Sequence, residues 1–231
     1  MKGRQSYQPG GRSSNTVDYD TVFIPRVHRL LKLGYDRLNP AEYAESEETT
    51  ITGDLVEAVA DTLDYPAEDW MRFFCVHDDP PENQPKRRRV RRGRSRQRVD
   101  IRLDCAESSP RARFRFECKR LATTHMATAY LGEKGLGCFL NAEYAAADAN
   151  AGMLGYVQSD DEQTWAARIE RCLAKSPQKY SCRPQSPWRH EPVIADFPHT
   201  YRSGHGRGRG GQPIEIFHTF LRFCCLASDH P

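Results

Sequence analysis

The sequence predicts a mixed α/β (α+β) chain, and three observations carry that prediction. Residues 46–65 repeat apolar side chains at helical spacing, and residues 160–175 do so again, opened by acids and closed by a lysine. Residues 98–104 and 112–119 alternate apolar and charged side chains on either side of Ser108, Ser109 and Pro110, the pattern of two paired strands with a turn between them. The helical and strand patterns interleave along the chain without an internal repeat.

Taken in order, residues 1–45 form an N-terminal extension. Its first 16 residues are polar and lack the apolar stretch of a signal peptide, and Val27, Leu30, Leu31 and Leu33 after Pro25 suggest a short helix. In the next helix Ser46 is the candidate N-cap, and the helix ends near Tyr65, before Pro66. WMRFFCVH, residues 70–77, is a strand candidate, and residues 78–97, full of breakers, are an exposed loop. Beyond the hairpin, residues 125–137 look irregular, the alanine-rich residues 141–154 predict a helix stopping at Gly155, and GYVQS predicts a strand. Residues 177–198 are Pro-rich loop, SGHGRGRGGQ is flexible, and PIEIFHTFLRFCCL is strand-like.

A length of 231 residues suits one domain with decorated ends, and 38% hydrophobic residues leave several segments outside a packed interior. No run of about 18 apolar residues occurs, so a soluble, cytoplasmic protein with no membrane partner is expected. None of the eight cysteines forms a Cys-x-x-Cys pair; their spacing suits neither a zinc site nor a disulfide scaffold, and most are expected to be buried thiols.

The net charge of +3 hides an asymmetry: nine of the thirteen residues from Lys86 to Arg98 are basic, while residues 36–82 hold fourteen acids against two arginines. The basic run, with Arg87, Arg88, Arg89, Arg91, Arg92, Arg94 and Arg96, lies in the loop leading to Asp100 and is a candidate phosphate-binding arm; a solvated segment or a localisation signal is the competing reading. Arg120 is a further candidate contact. His205, Arg207 and Arg209 among their glycines form a second cationic loop that suits either phosphate binding or a plain linker.

Strand alternation puts Asp100, Arg102 and Asp104 on the face opposite Val99, Ile101 and Leu103, and Arg115, Glu117 and Lys119 opposite Phe114, Phe116 and Cys118. A hairpin then brings Asp100 near Glu117, with Lys119 one step further along. Carboxylates about 4–5 Å apart repel unless a cation joins them, and hard oxygen ligands suit Mg²⁺. A neighbouring lysine can orient an attacking water, which together points to phosphodiester hydrolysis. Charged positions of this kind are also the ordinary solvated face of an antiparallel sheet. Glu117-Cys118-Lys119 is the only Asp/Glu-x-Lys in the chain. On the preceding helix Glu48 shares the inward stripe of Thr52, Leu55 and Val59, where it can act as a cap, an ion-pair partner or a completing member of a metal site, while Glu57 points away.

A helix with an inward glutamate, a strand bearing an aspartate and ECK on the next strand together resemble the PD-(D/E)xK nuclease superfamily over roughly residues 46–175. The resemblance implies a restriction-endonuclease-like core, a central mixed β-sheet flanked by helices, built from residues 46–65, 70–77, 98–104, 112–119, 142–153 and 154–158. The basic loop at 86–97 lies within it, and residues 176–231 are then a C-terminal extension packing on the core. It further implies Asp100, Glu117 and the Cys118 carbonyl as metal ligands, Lys119 as catalytic lysine and Glu48 as the helix glutamate assisting both roles. Mg²⁺, with Mn²⁺ as substitute, would be the cofactor and DNA the expected substrate. An endonuclease of bacterial restriction or anti-phage defence follows from the resemblance, with room for a homodimer or a partner ATPase or sensor subunit. Val99 stands where the motif name has proline, and the Gln-x-x-x-Tyr of the exonuclease branch is absent. A nuclease fold that binds nucleic acid without cutting it, alone or as a subunit of a larger complex, is the alternative.

Overall fold

The computed structural model describes residues 19–81, 98–107, 110–123, 126–208 and 211–224. Arg209 and the seven arginines from Arg87 to Arg96, expected to meet phosphates, lie outside the described residues.

Seven strands form one sheet: β1 Phe74–Asp78, β2 Ile101–Cys105, β3 Ala112–Leu121, β4 Asn150–Val157, β5 Arg189–His190, β6 Thr200–His205 and β7 Ile214–Arg222. Their spatial order is β1-β2-β3-β4-β7-β6-β5. The first three make an antiparallel meander, β4 lies parallel to β3, β7 lies parallel to β4, and β6 and β5 return antiparallel. The sheet is therefore mixed, and residues 189–222 supply three of its seven strands.

Among the described residues, five α-helical segments accompany it: α1 Ile24–Tyr35, α2 Glu48–Asp64, α3 Met126–Tyr130, α4 Leu136–Leu140 and α5 Glu162–Lys175. On one face, Val27, Leu30 and Leu31 of α1 and Ile51, Leu55 and Val59 of α2 pack with Ile101, Leu103, Phe114, Phe116 and Tyr156. On the other, Tyr130, Phe139, Trp165 and Ile169 meet Leu121, Met153 and Ile216. Val99 belongs to this second layer, not to the layer of Ile101 and Leu103, because the chain leaves the β2 ladder before Ile101. Strand β4 is buried at every position, as a central strand covered on both faces must be.

Several sequence expectations shift. The strand expected at 70–77 begins only at Phe74, after a tight helical turn at Asp69–Phe73. Helix α2 is capped by Glu47 with no side-chain bond, while the Ser46 carbonyl accepts from Gln158 at 2.8 Å and Arg120 at 3.2 Å. The expected alanine-rich helix is absent: residues 141–149 are turns with Ala142 and Ala145 at φ 53° and 50°, and β4 starts at Asn150. The small residues there serve close packing rather than helix formation. A Cβ on Gly152 would sit 2.1 Å from the Phe116 ring, and one on Gly155 2.6 Å from Phe220. Helical segment α3 and the start of α4 instead fall in the stretch read as irregular, β5 interrupts the Pro-rich loop, and β6 includes His205 of the segment read as flexible. Helix α5 agrees with its expected span, with Asp161 accepting from the Thr164 N–H at 2.6 Å. The described cysteines are all free thiols, but only Cys105, Cys118 and Cys138 are buried and four are half-buried, fewer than expected.

A chain of polar groups threads the second layer. The Tyr130 hydroxyl lies 3.0 Å from His218 Nδ1, Ser203 Oγ bridges His218 Nε2 at 2.8 Å and His205 Nε2 at 2.7 Å, and His205 Nδ1 lies 2.8 Å from the Tyr180 carbonyl. The carbonyl can only accept, so His205 carries its proton on Nδ1 and the order of donors follows back to Tyr130. Burial holds both histidines below their ordinary pKa, and hence neutral.

The packing of Gly152 makes a test. Gly152→Ala drives a methyl into the buried Phe116 ring, and urea denaturation should show a loss of about 1–3 kcal/mol with an unchanged m-value.

Candidate active site

Strand β3 is twice as long as β2, ten residues against five, and the ladder between them ends at Ile101 opposite Phe116. Upstream of Ile101 the chain stays with the continuation of β1: the Asp79 N–H bonds the Asp100 carbonyl at 2.9 Å, and Val99 N–H the Pro80 carbonyl at 3.3 Å. The β1–β2 ribbon thus parts from β3, and the backbone groups on the β2 side of β3 beyond Phe116 need other partners. Two carboxylates provide them. Asp100 Oδ2 accepts from the Cys118 N–H at 2.6 Å, and Glu48 Oε2 accepts from the Arg120 N–H at 3.1 Å.

Glu48 reaches β3 because the first turn of α2 is fixed on the sheet. The Thr52 hydroxyl donates to the Glu48 carbonyl at 2.8 Å and lies 3.0 Å from the buried Tyr156 hydroxyl of β4. Thr52, Leu55 and Val59 are buried as the helical stripe requires, and Glu48 at its head is half-buried.

Lys119 joins the set. Its ammonium lies 2.9 Å from Glu48 Oε1, 2.9 Å from Glu117 Oε1 and 2.6 Å from the Cys118 carbonyl. Glu117 is buried, and its second oxygen, Oε2, has no hydrogen-bond partner. Asp100, Glu117, Lys119, Glu48 and the Cys118 carbonyl are therefore brought together, from α2, the approach to β2, and β3.

The electrostatics are those of a buried acidic cluster with one cation. Burial, followed by the neighbouring Asp100 charge, pushes Glu117 up to about 8, although Lys119 pulls the other way. Asp100 is pushed up to about 6, again mainly by burial, against the pull of Lys119 and the Cys118 N–H. Lys119 is held above its ordinary value because Glu117, Glu48 and Asp100 outweigh its own desolvation. The oxygens of Asp100 and Glu117 and the Cys118 carbonyl are hard donors of the kind Mg²⁺ takes, and the unpartnered Glu117 oxygen is a coordination position that no protein donor fills. The residues fit such a group.

Beside the cluster lies an open cleft of about 590 Å³, lined by Glu117 and Lys119 and, on the far side, by Glu133, Lys134, Asn141 and Tyr144 among others. Glu133 and Lys134 come from the stretch read as irregular, and Asn141 and Tyr144 from the stretch expected to be a helix, so the sequence held no signal for the wall.

Two expected contacts with nucleic acid are not presented to solvent. His205 is fully buried in the polar chain described above. Arg207, 8% exposed, donates to the carbonyls of Phe139, Ala146 and Asp148 at 3.1–3.2 Å, so it holds the turns before β4 rather than offering a cation to phosphate. Arg120 is half-buried beside the cluster, bonded to the Ser46 carbonyl and paired with Glu47 at 3.2 Å.

No family model, curated protein or solved structure matches the chain.

The raised carboxyl pKa values make stability depend on pH in a defined direction. From the ordinary value of 4.5 up to about 8 the folded protein holds more protons at Glu117 than the unfolded chain, so stability falls as pH rises through that window. Glu117→Gln removes this slope. Denaturation curves from pH 5 to 8 without divalent ions should show the variant gaining on the wild type as pH rises, and parallel curves would contradict the assignment.

Proposed function

We propose that the protein is a Mg²⁺-dependent nuclease of the PD-(D/E)xK type. The observation that carries this reading is the convergence of Asp100, Glu117, Lys119 and Glu48 where β3 parts from β2, with one Glu117 oxygen left unpartnered. The order of elements supports it: a helix, an antiparallel three-stranded meander, two short helical segments and a strand parallel to the third.

In this reading Asp100, Glu117 and the Cys118 carbonyl hold the metal, which when bound supplies Lewis acidity and an activated water. Lys119, kept charged by its three carboxylate neighbours, donates to the attacking water or to a phosphate oxygen as negative charge builds. Glu48 fixes the ammonium from the helix side at 2.9 Å, so the lysine is oriented before substrate arrives. The adjoining cleft gives the scissile phosphate a place to lie. DNA is the proposed substrate, the basic segment 86–97 the proposed arm that holds it, and restriction or phage defence in the cytoplasm the proposed setting. Among the described residues no helix is long and apolar enough to cross a membrane.

One observation favours a second reading, a nuclease fold that binds without cutting. Lys119 already has three oxygen partners, the full capacity of an ammonium, and so acts as a built-in counter-ion for the carboxylates.

A single assay separates them. Purified protein with Mg²⁺ and plasmid DNA or RNA should cut, and Asp100→Ala or Lys119→Ala should lower the rate by about 10²-fold or more while nucleic-acid affinity changes little. Binding without cutting in the wild type selects the second reading, and wild-type rates in both variants reject the site. Deleting residues 86–97 should weaken binding and flatten its salt dependence; unchanged affinity rejects the arm as a contact.

A further inference from the structure

The sheet edge at β1 carries a second cluster of ligating side chains, separate from the carboxylates around Lys119. Cys75 and His77 stand two residues apart on β1 and so project from one face, and Asp104 on β2 is the direct cross-strand partner of Cys75. Their Sγ, nitrogen and carboxylate atoms all lie within 4.8 Å of one another.

The spacing of the three is informative. His77 Nε2 lies 3.4 Å from Cys75 Sγ and 3.4 Å from Asp104 Oδ2. The contact to the carboxylate is longer than a good hydrogen bond, about 2.7–3.2 Å. Both distances match the edge of a tetrahedron around a zinc-like ion, roughly 3.3–3.7 Å for bonds of about 2.0–2.3 Å. Asp104 is also oriented for the role: Arg102 Nε donates to Oδ1 at 2.9 Å and leaves Oδ2 toward His77, as an outer partner does for a ligating carboxylate. Arg113, at 3.9 Å from Oδ2, is the competing cation and is only loosely engaged.

We propose that Cys75, His77 and Asp104 bind a borderline dication of the zinc class, with a fourth position open to solvent. A thiolate and a carboxylate cancel the ion's charge, and one sulfur, one nitrogen and one oxygen form a donor set that zinc accepts and magnesium does not. The ion clips β1 to β2, whose upstream continuation carries Asp100. Linear spacing hides the site because the third ligand arrives across the ladder, 27 residues beyond His77.

The test uses the metal-stripped full chain. Titration with Zn²⁺ against a chromogenic chelator should show one equivalent bound, and Co²⁺ should give a thiolate charge-transfer band. Cys75→Ser should abolish that band, and His77→Gln, at a side chain 35% exposed and so tolerant of change, should weaken Zn²⁺ binding by about 100-fold or more. Asp100→Asn should alter neither, which separates this site from the carboxylate cluster. The absence of stoichiometric binding, a Co²⁺ band surviving in Cys75→Ser, or loss of binding in Asp100→Asn would each overturn the proposal.

Discussion

The parting of β2 from β3 is the constraint on which the candidate site depends. A strand that outruns its neighbour leaves N–H and C=O groups that water or another donor set must satisfy. Here the open edge of β3 takes Asp100 and Glu48 on the N–H groups of Cys118 and Arg120, and Lys119 on the Cys118 carbonyl. Backbone needs alone would be met by neutral groups. Using carboxylates instead gathers negative charge at a buried point, which costs stability and is characteristic of sites kept for binding or chemistry.

Everything around that point is fixed by packing. The two apolar layers hold β3 and β4 from both sides, and Phe116 lies against Gly152 so closely that the strands admit no larger residue there. The Thr52–Tyr156 contact ties the start of α2 to β4. The carboxylate from the helix and the lysine from the strand therefore meet through elements that cannot shift independently.

The sequence made the hairpin and the α2 stripe legible because period-two and period-3.6 patterns report directly on which side chains share a face. Asp100 does come close to Glu117, but from outside the ladder, where the alternation that placed it no longer holds. It hid what depends on the third dimension. Gly152 and Gly155 looked like the end of an alanine-rich helix because their use, admitting aromatic rings from β3 and β7, involves residues far away in the chain. His205 and Arg207 looked like a solvated cationic loop because their partners, Tyr180, Phe139 and the turn before β4, are equally distant. Half of the cleft wall had no period to read and the rest read as helix, and β5 and β6 were concealed by prolines, glycines and charges paired across the sheet edge, such as Arg202 with Glu191 and Glu215.

The place of β7 in the sheet has a consequence for the order of events at the ribosome. Every residue of the carboxylate cluster precedes residue 121, yet β4, which flanks β3, has its other edge closed only by Ile214–Arg222. Until that segment emerges, β4 is paired on one edge only and both apolar layers lack the side chains of β7, and such distant pairing is slow to form. The sheet around the site is therefore completed only once β7 has been made, although the residues of the site are translated well before it.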